Sequence, residues 1–191
     1  MNEKSKKRIS KFLSLVLRHQ PETIGIELDP NGWVEVETLL TAMENSKHRQ
    51  NVSLAQLKEV VSSNDKQRFE FDDARHRIRA RQGHSVEIDL GLSPSVPPEY
   101  LMHGSSTDSI PLIRQSGLKK MNRHDVHLHV DDSLAVDVGG RHGKPVLLKI
   151  RAREMHKKGY QFFVTANDVW LTDNVPPEFI QFPEPDSARK P

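Results

Sequence analysis

The chain has 191 residues, a formal net charge of +2 and no cysteine, which is enough length for one large domain or two small ones and excludes disulfides, thiolate nucleophiles and thiolate-bound zinc. No apolar run approaches the roughly 20 residues needed to span a bilayer, and the basic start lacks the apolar core of a secretory signal, so a cytoplasmic protein with no membrane partner is expected. Its chemistry has to come from Arg, Lys, His and hydroxyl groups.

The first predicted element is a helix. Ile9, Phe12, Leu13, Val16 and Leu17 recur at the spacing that places side chains on one face of a 3.6-residue period, while Lys4, Lys6, Lys7, Arg8 and Lys11 fall mostly on the opposite side. Pro21 cannot continue a helix and biases Gln20 towards an extended conformation, so Arg18 and His19 belong to the last turn. The negative end of the macrodipole favours cations there. Two basic residues at that point are either a plain helix cap or a grip for an anion, and the dipeptide alone leaves both open.

A short apolar alternation follows, Ile24-Gly25-Ile26-Glu27-Leu28, and then a turn at Asp29-Pro30-Asn31-Gly32. Trp33-Val34-Glu35-Val36 leads into a second helix carrying Leu39, Leu40 and Met43, with Trp33 read as a core residue. Ser53 is a good N-cap for a third helix with Leu54, Leu57, Val60 and Val61. The next two runs, Arg68-Phe69-Glu70-Phe71 and Arg77-Ile78-Arg79-Ala80, read as a hairpin joined by Asp72 to His76. Three helices and a terminal hairpin make a winged-helix pattern.

Charge is uneven along the chain. Residues 1–85 carry 15 Lys and Arg against 12 Asp and Glu, and residues 86–191 carry 13 against 14. The basic excess concentrates at Lys66, Arg68, Arg75, Arg77, Arg79 and Arg81, which suits a phosphate backbone. A solvated strand face explains Arg77, Arg79 and Arg81 equally well, since alternate residues of a strand point to one side.

Ser93-Pro94-Ser95-Val96-Pro97-Pro98 places a domain boundary nearby, giving units of residues 1–90 and 91–182 and a tail, 183–191, rich in Pro and charge and expected to be disordered. The second unit alternates short strands and helices. It begins with Leu101-Met102-His103-Gly104 and a helix from about Thr107 that Gly117 ends. A strand over Val126 to Val130 and the loop Gly139 to Lys144 come next. A strand from Val146 to Ile150, a helix near Met155 that stops at Gly159, and strands around Phe162 to Val164 and Val169 to Leu171 complete it.

Several segments together resemble the RNA 2′-phosphotransferase family. They are Phe12-Leu13-Ser14-Leu15-Val16-Leu17-Arg18-His19, Lys66-Gln67-Arg68-Phe69, Ile78-Arg79-Ala80-Arg81-Gln82-Gly83-His84-Ser85, His103-Gly104, Arg123-His124-Asp125-Val126-His127-Leu128, Val138-Gly139-Gly140-Arg141-His142-Gly143 and Val169-Trp170-Leu171-Thr172. The resemblance runs over about residues 10 to 180. It implies an α+β chain, with an amino-terminal winged-helix RNA lobe followed by an NAD lobe of the ADP-ribosyltransferase fold. The implied activity is removal of a splice-junction 2′-phosphate from RNA, as in tRNA splicing, with NAD as co-substrate and a monomeric enzyme.

Residue by residue, the resemblance assigns catalysis to Arg18, His19, Arg68 and Arg123, and RNA contact to Lys66, Arg79, Gln82, His84 and Ser85. It lays His103, Gly104, Ser105, His127 and Leu128 against NAD, and Arg141, in a glycine-flanked loop, is a further candidate for contact with the NAD pyrophosphate. In the implied reaction the 2′-phosphate attacks the nicotinamide ribose, giving ADP-ribosylated RNA. A ribose hydroxyl then attacks the phosphorus, expels the RNA 2′-hydroxyl and releases ADP-ribose cyclic phosphate. Such a phosphate is already largely a dianion at pH 7, so positioning by Arg forks matters more than base strength.

The chain departs from the usual pattern at three places: Met102-His103-Gly104-Ser105 for Tyr-His-Gly-Thr, His127-Leu128-His129 for His-Leu-Ser, and Asn167-Asp168-Val169-Trp170 for Asn-Gly-Val-Trp. Asp tolerates a left-handed turn better than most residues, so the last turn is expected to survive. His127 and His129 with His124 or His142 offer a possible metal set. No HExxH or comparable spacing appears, however, and no metal is expected.

Two other readings stay open at this stage. One is an ADP-ribosyltransferase acting on another acceptor, such as a terminal nucleic-acid phosphate. The other is a winged-helix DNA-binding regulator with a ligand-sensing domain, which explains the basic hairpin but not the clustered Arg and His at a helix end.

Overall fold

Helix α1, Glu3–Arg18, starts where the Asn2 side chain accepts the Ser5 amide, and it buries Ile9, Leu13, Val16 and Leu17 along one stripe. The computed structural model describes residues 1–47, 51–64, 66–121, 123–132 and 144–183. Contacts divide the chain into two units, Met1–Gly91 and Leu92–Pro191. Among the described residues no helix is long and apolar enough to cross a membrane.

In the first unit, β1 (Val34–Glu35) runs directly into α2 (Val36–Asn45), and α3 (Leu54–Ser62) follows. Ser53 caps α3 in a reciprocal box: its hydroxyl accepts the Gln56 amide while the Gln56 side chain accepts the Ser53 amide, an arrangement that satisfies two otherwise orphaned donors. The hairpin β2 (Phe69–Phe71) and β3 (Arg77–Ala80) pairs Phe69 with Ala80 and Phe71 with Ile78, and β1 adds to its other side as the order β1-β3-β2. Leu13, Leu17, Leu39, Met43, Leu57 and Ile78 are fully buried in the core that results. Each such side chain contributes about 1.5–3 kcal/mol through area removed from water.

Three details differ from the sequence expectation. The Ile24 to Leu28 alternation is not a strand: Pro21–Ile24 forms a 3-10 turn and Gly25 takes φ +70, so Ile26 reaches the core from irregular backbone. Trp33 is only half-buried and lies outside the core. The Arg77 and Arg79 guanidiniums lie over its ring, 5.4 and 4.4 Å from the centroid.

The third difference concerns the arginine stripe, which is charge-paired within its own unit. Arg79 binds Glu70 at 2.7 Å and Arg81 approaches the same carboxylate at 3.1 Å. Arg77 meets Asp72 at 3.2 Å and Asp29 at 3.6 Å. Its amide and that of His76 donate to the Asp72 carboxylate, and these bonds hold that group below the ordinary carboxylate range.

The second unit is built on β4 (Leu101–Ser106) and β7 (Pro145–Ile150), paired antiparallel from Leu101 opposite Ile150 to Ser106 opposite Pro145. Strand β11 (Ile180–Gln181) covers the far edge of β7. A second sheet orders β6 (Val126–Leu128), β9 (Trp170–Thr172) and β8 (Phe163–Val164), with β9 central. Met102 and His129 exchange backbone hydrogen bonds at 2.7 and 2.9 Å, which ties β4 to the end of β6.

Helices α4 (Ile110–Ser116) and α5 (Ala152–Lys157) and the short pair β5 (Leu118–Lys119) and β10 (Asn174–Val175) complete the unit. Gly117 ends α4 at φ +73, and a β-carbon there would sit 2.1 Å from the Val175 carbonyl oxygen. Asp168 holds φ +59 in the β8–β9 turn, the left-handed conformation expected of it. The β6 strand is two residues shorter than expected, because His129 makes only the isolated bridge to Met102. Residues 184–191 of the expected tail lie outside the described residues.

Candidate active site

Three stretches of the first unit meet at the C-terminal end of α1. The His19 amide donates to the Leu15 carbonyl at 3.0 Å and closes the helix, while the Arg18 carbonyl accepts the Ser85 amide at 2.8 Å. The His19 ring reaches the same residue, with Nδ1 3.0 Å from the Ser85 hydroxyl. Arg18 Nη2 donates to the Arg68 carbonyl at 3.4 Å, and its guanidinium lies 5.9 Å from the centroid of the Phe69 ring. Arg18, His19, Arg68 and Ser85, scattered over 68 positions of sequence, thus form one cluster.

Arg68 is placed by a residue the sequence reading did not single out. Asn64 Oδ1 accepts from Arg68 Nη1 at 3.2 Å and from the Arg68 amide at 3.4 Å, and Asn64 Nδ2 donates to the Ser10 hydroxyl on α1 at 3.0 Å. The spacing from Asn64 to Arg68 is the one available signal, a short amide side chain four residues before a proposed catalytic cation. Between them the backbone bends sharply: Gln67 has φ +40 and its amide returns to the Asn64 carbonyl at 2.7 Å. Non-glycine residues in that region concentrate where function demands a particular geometry.

The residues expected to contact RNA divide into three groups. Lys66 and Arg79 are half-buried, Arg79 being held by Glu70, the Asn31 carbonyl and the Trp33 ring. Gln82 and His84 have buried side chains, at 9% and 3% exposure, so they shape the segment that carries Ser85. Ser85 itself is exposed.

In the second unit a turn precedes β6, with Met121 at φ +53 and the Arg123 amide bound to the Lys120 carbonyl at 3.0 Å. Arg123 Nη1 then donates to His127 Nδ1 at 3.3 Å. Arginine is always a donor, so His127 accepts at Nδ1 and carries its proton on Nε2. His103, on β4, donates from Nδ1 to the His127 carbonyl at 2.9 Å.

Burial pushes His103 below the ordinary histidine range; its bond to the His127 carbonyl opposes that shift and the nearby Arg123 charge adds to it. His103 is therefore neutral near pH 7, with its acceptor nitrogen at Nε2. Gly104 is buried opposite Leu147, whereas Ser105, opposite Val146, is half-buried. Leu128 is fully buried in the core, so only its backbone is placed to touch a ligand. Arg141 lies outside the described residues. Among the described residues no three of His, Asp and Glu converge as a metal centre requires.

Each unit thus presents its own polar cluster: arginines and an imidazole at a helix end in the first, and a neutral imidazole, a hydroxyl and an arginine-bearing turn on paired strands in the second. The chain is 50% identical over 180 residues to a probable RNA 2′-phosphotransferase of Trichormus variabilis, covering 94% of this chain and 98% of that protein. It is 51% identical over 174 residues to one of Nostoc punctiforme, covering 91% and 95%. It is 47% identical over 182 residues to one of Flavobacterium johnsoniae, covering 95% and 99%. Residues 4–174, a span that contains every one of the clustered side chains, match the family described as RNA 2′-phosphotransferase, Tpt1 / KptA, and the chain belongs to that family.

Proposed function

We propose that this enzyme removes an internal 2′-phosphate from RNA by transferring it to NAD, with Arg18, His19, Arg68 and Arg123 handling the phosphate. The observation that supports this most directly is the convergence of Arg18, His19 and Arg68 at the C-terminal end of α1. A helix C-terminus, unlike an N-terminus, offers no amides to an anion, so cationic side chains must bind the phosphate there. The first unit serves as a winged-helix RNA lobe, a reading supported by its three helices and its sheet of order β1-β3-β2. The second serves as the NAD lobe of the ADP-ribosyltransferase type.

The residues of β4 and β6 fit NAD chemically. His103 has committed its donor to a carbonyl, so its ring offers an acceptor suited to a ribose hydroxyl, and the Ser105 hydroxyl can donate or accept. NAD supplies a ribose carbon made electrophilic by its positively charged nicotinamide.

In the first step a 2′-phosphate oxygen bonds to that carbon, and the carbon–nitrogen bond breaks with its electron pair passing to neutral nicotinamide. In the second, the adjacent ribose hydroxyl attacks the phosphorus and loses its proton, and the phosphorus–oxygen bond to RNA breaks. His19 gives the departing RNA 2′-oxygen its proton. The second step is intramolecular and gains from effective concentrations of about 10⁵ M or more. Arg18, Arg68 and Arg123 neutralise the charge on the transferring phosphoryl group.

The decisive experiment incubates the protein with NAD and an RNA oligonucleotide bearing one internal 2′-phosphate. Nicotinamide and ADP-ribose cyclic phosphate should form in equal amounts with 2′-hydroxyl RNA. Their absence at high enzyme concentration would overturn the NAD reading, and inorganic phosphate as the sole product would replace it with hydrolysis.

A further inference from the structure

Three contacts from a single segment close on the end of α1. The Ser85 and Val86 amides donate to the Arg18 carbonyl at 2.8 and 3.4 Å, and the Ser85 hydroxyl stands 3.0 Å from His19 Nδ1. The segment is itself anchored. Gly83 takes φ +84, the adjacent His84 is buried to 3% exposure, and a side chain at Gly32 would meet the His84 ring at 3.4 Å and Ile88 at 3.3 Å. His84 is a plug seated against Gly32, and Ser85 is the next residue along the chain.

An exposed imidazole at a helix end has rotamer freedom that it must lose when it engages a phosphate. A hydroxyl held one residue from a buried plug removes that freedom before substrate arrives. The serine can donate to Nδ1 or accept from it, and in either arrangement Nδ1 is committed and the ring plane is set.

We propose that Ser85 is a positioning residue for phosphate transfer: by engaging Nδ1 it orients His19 so that Nε2 serves the 2′-phosphate and gives the departing RNA oxygen its proton. The proposal rests on the reading of His19 as a phosphate-handling group. It gives Ser85 a role other than direct contact with RNA. The proton that the attacking ribose hydroxyl loses balances the one His19 gives up.

The test compares Ser85→Ala with Ser85→Thr, using an RNA oligonucleotide with one internal 2′-phosphate. Under single turnover with saturating RNA and NAD, Ser85→Ala should slow the reaction about 100-fold, as a 1 Å misplacement of a reacting group does, with the Kd for that RNA unchanged. Ser85→Thr keeps the hydroxyl and should restore most of the rate. In nitrogen-15 histidine spectra of the protein alone, the His19 Nδ1 resonance should move in Ser85→Ala and stay in place in Ser85→Thr.

If Ser85→Ala weakens RNA binding while leaving the saturated rate intact, Ser85 touches RNA and the proposal is wrong. An unmoved His19 resonance would also overturn it. Should Ser85→Ala fail to fold, Ser85→Cys, a weak donor of similar size, takes its place with the same outcomes. The spectra involve no turnover, so a wild-type protein inactive with NAD would count against the functional reading while the His19 contact was still being measured.

Discussion

The two polar clusters are held in place by different means. At the end of α1 the polar groups are placed by individual side-chain contacts: Asn64, itself bound to Ser10 on α1, holds Arg68, and two contacts that reach across the unit hold the rest, the Arg68 carbonyl holding Arg18 and Ser85 holding His19. In the second unit, placement comes mainly from strand register, with His103 and Ser105 set by pairing along β7 and His127 by pairing with Leu171. A cluster set by register is lost only when the sheet is damaged. One set by individual side chains can be loosened a bond at a time without unfolding the unit.

The largest expected effect comes from removing the cations themselves. Arg18→Ala and Arg123→Ala should each slow single-turnover phosphate transfer by about 10²–10³-fold, the scale of losing one preorganised charge-stabilising group, with little change in thermal stability. A wild-type rate in Arg123→Ala would remove the second unit from phosphate handling. Next is damage to the register-set cluster. Leu128→Ala, at a fully buried core position of β6, should destabilise the protein by about 2–5 kcal/mol in chemical denaturation. Gly117→Ala should also destabilise it, by at least about 1–3 kcal/mol, because its β-carbon would overlap the Val175 carbonyl at a positive φ. Unchanged denaturation midpoints in both variants would end the claim that sheet packing holds this cluster.

Smaller effects should separate the two modes more finely. Asn64→Ala removes an acceptor shared by the Arg68 side chain and amide and should weaken stability by only about 1 kcal/mol. Its effect on the transfer rate should be clearly larger than its effect on folding, and equal effects would show that Asn64 is merely structural.

The smallest prediction is a pH dependence. Because burial lowers the His103 pKa in the folded state below the ordinary 6.5, the unfolded chain binds a proton there more readily. Stability from this residue is complete above about pH 6.5 and falls as pH drops below it. The slope of unfolding free energy between pH 5 and 6.5 should therefore flatten in His103→Asn. An unchanged slope would mean that His103 is not held neutral.

Much of the local structure was legible because it depends on neighbours in sequence. Pro21 announced the end of α1 one turn early, Ser53 announced the cap of α3, and the alternation of Arg77, Ile78, Arg79 and Ala80 gave the face that β3 buries. The left-handed turn at Asp168 was legible for the same reason, since a short polar side chain makes that conformation accessible.

Other features depend on which segments happen to meet. The two-residue strands β5, β10 and β11 are too short to show a period, and Ile26 reads as strand-like until Pro21 and Gly25 impose a different backbone. Trp33 reads as core, yet two guanidiniums cover its ring. The arginine stripe was legible as a stripe, but its pairing with Asp29, Glu70 and Asp72 required the tertiary fold.

The sequence by itself determined the family, the helix end that presents Arg18 and His19, and the residue types available for phosphate chemistry, because motifs, turns and caps are local and their physics acts within a few residues. Only the tertiary structure decided that Asn64 braces Arg68, that Arg123 rests on His127, and that the Ser85 hydroxyl meets the His19 ring. The Ser85–His19 contact joins groups 66 residues apart and forms only after burial of the core has brought their segments side by side, and the two pairs that are four residues apart are set by irregular turns that carry no sequence period.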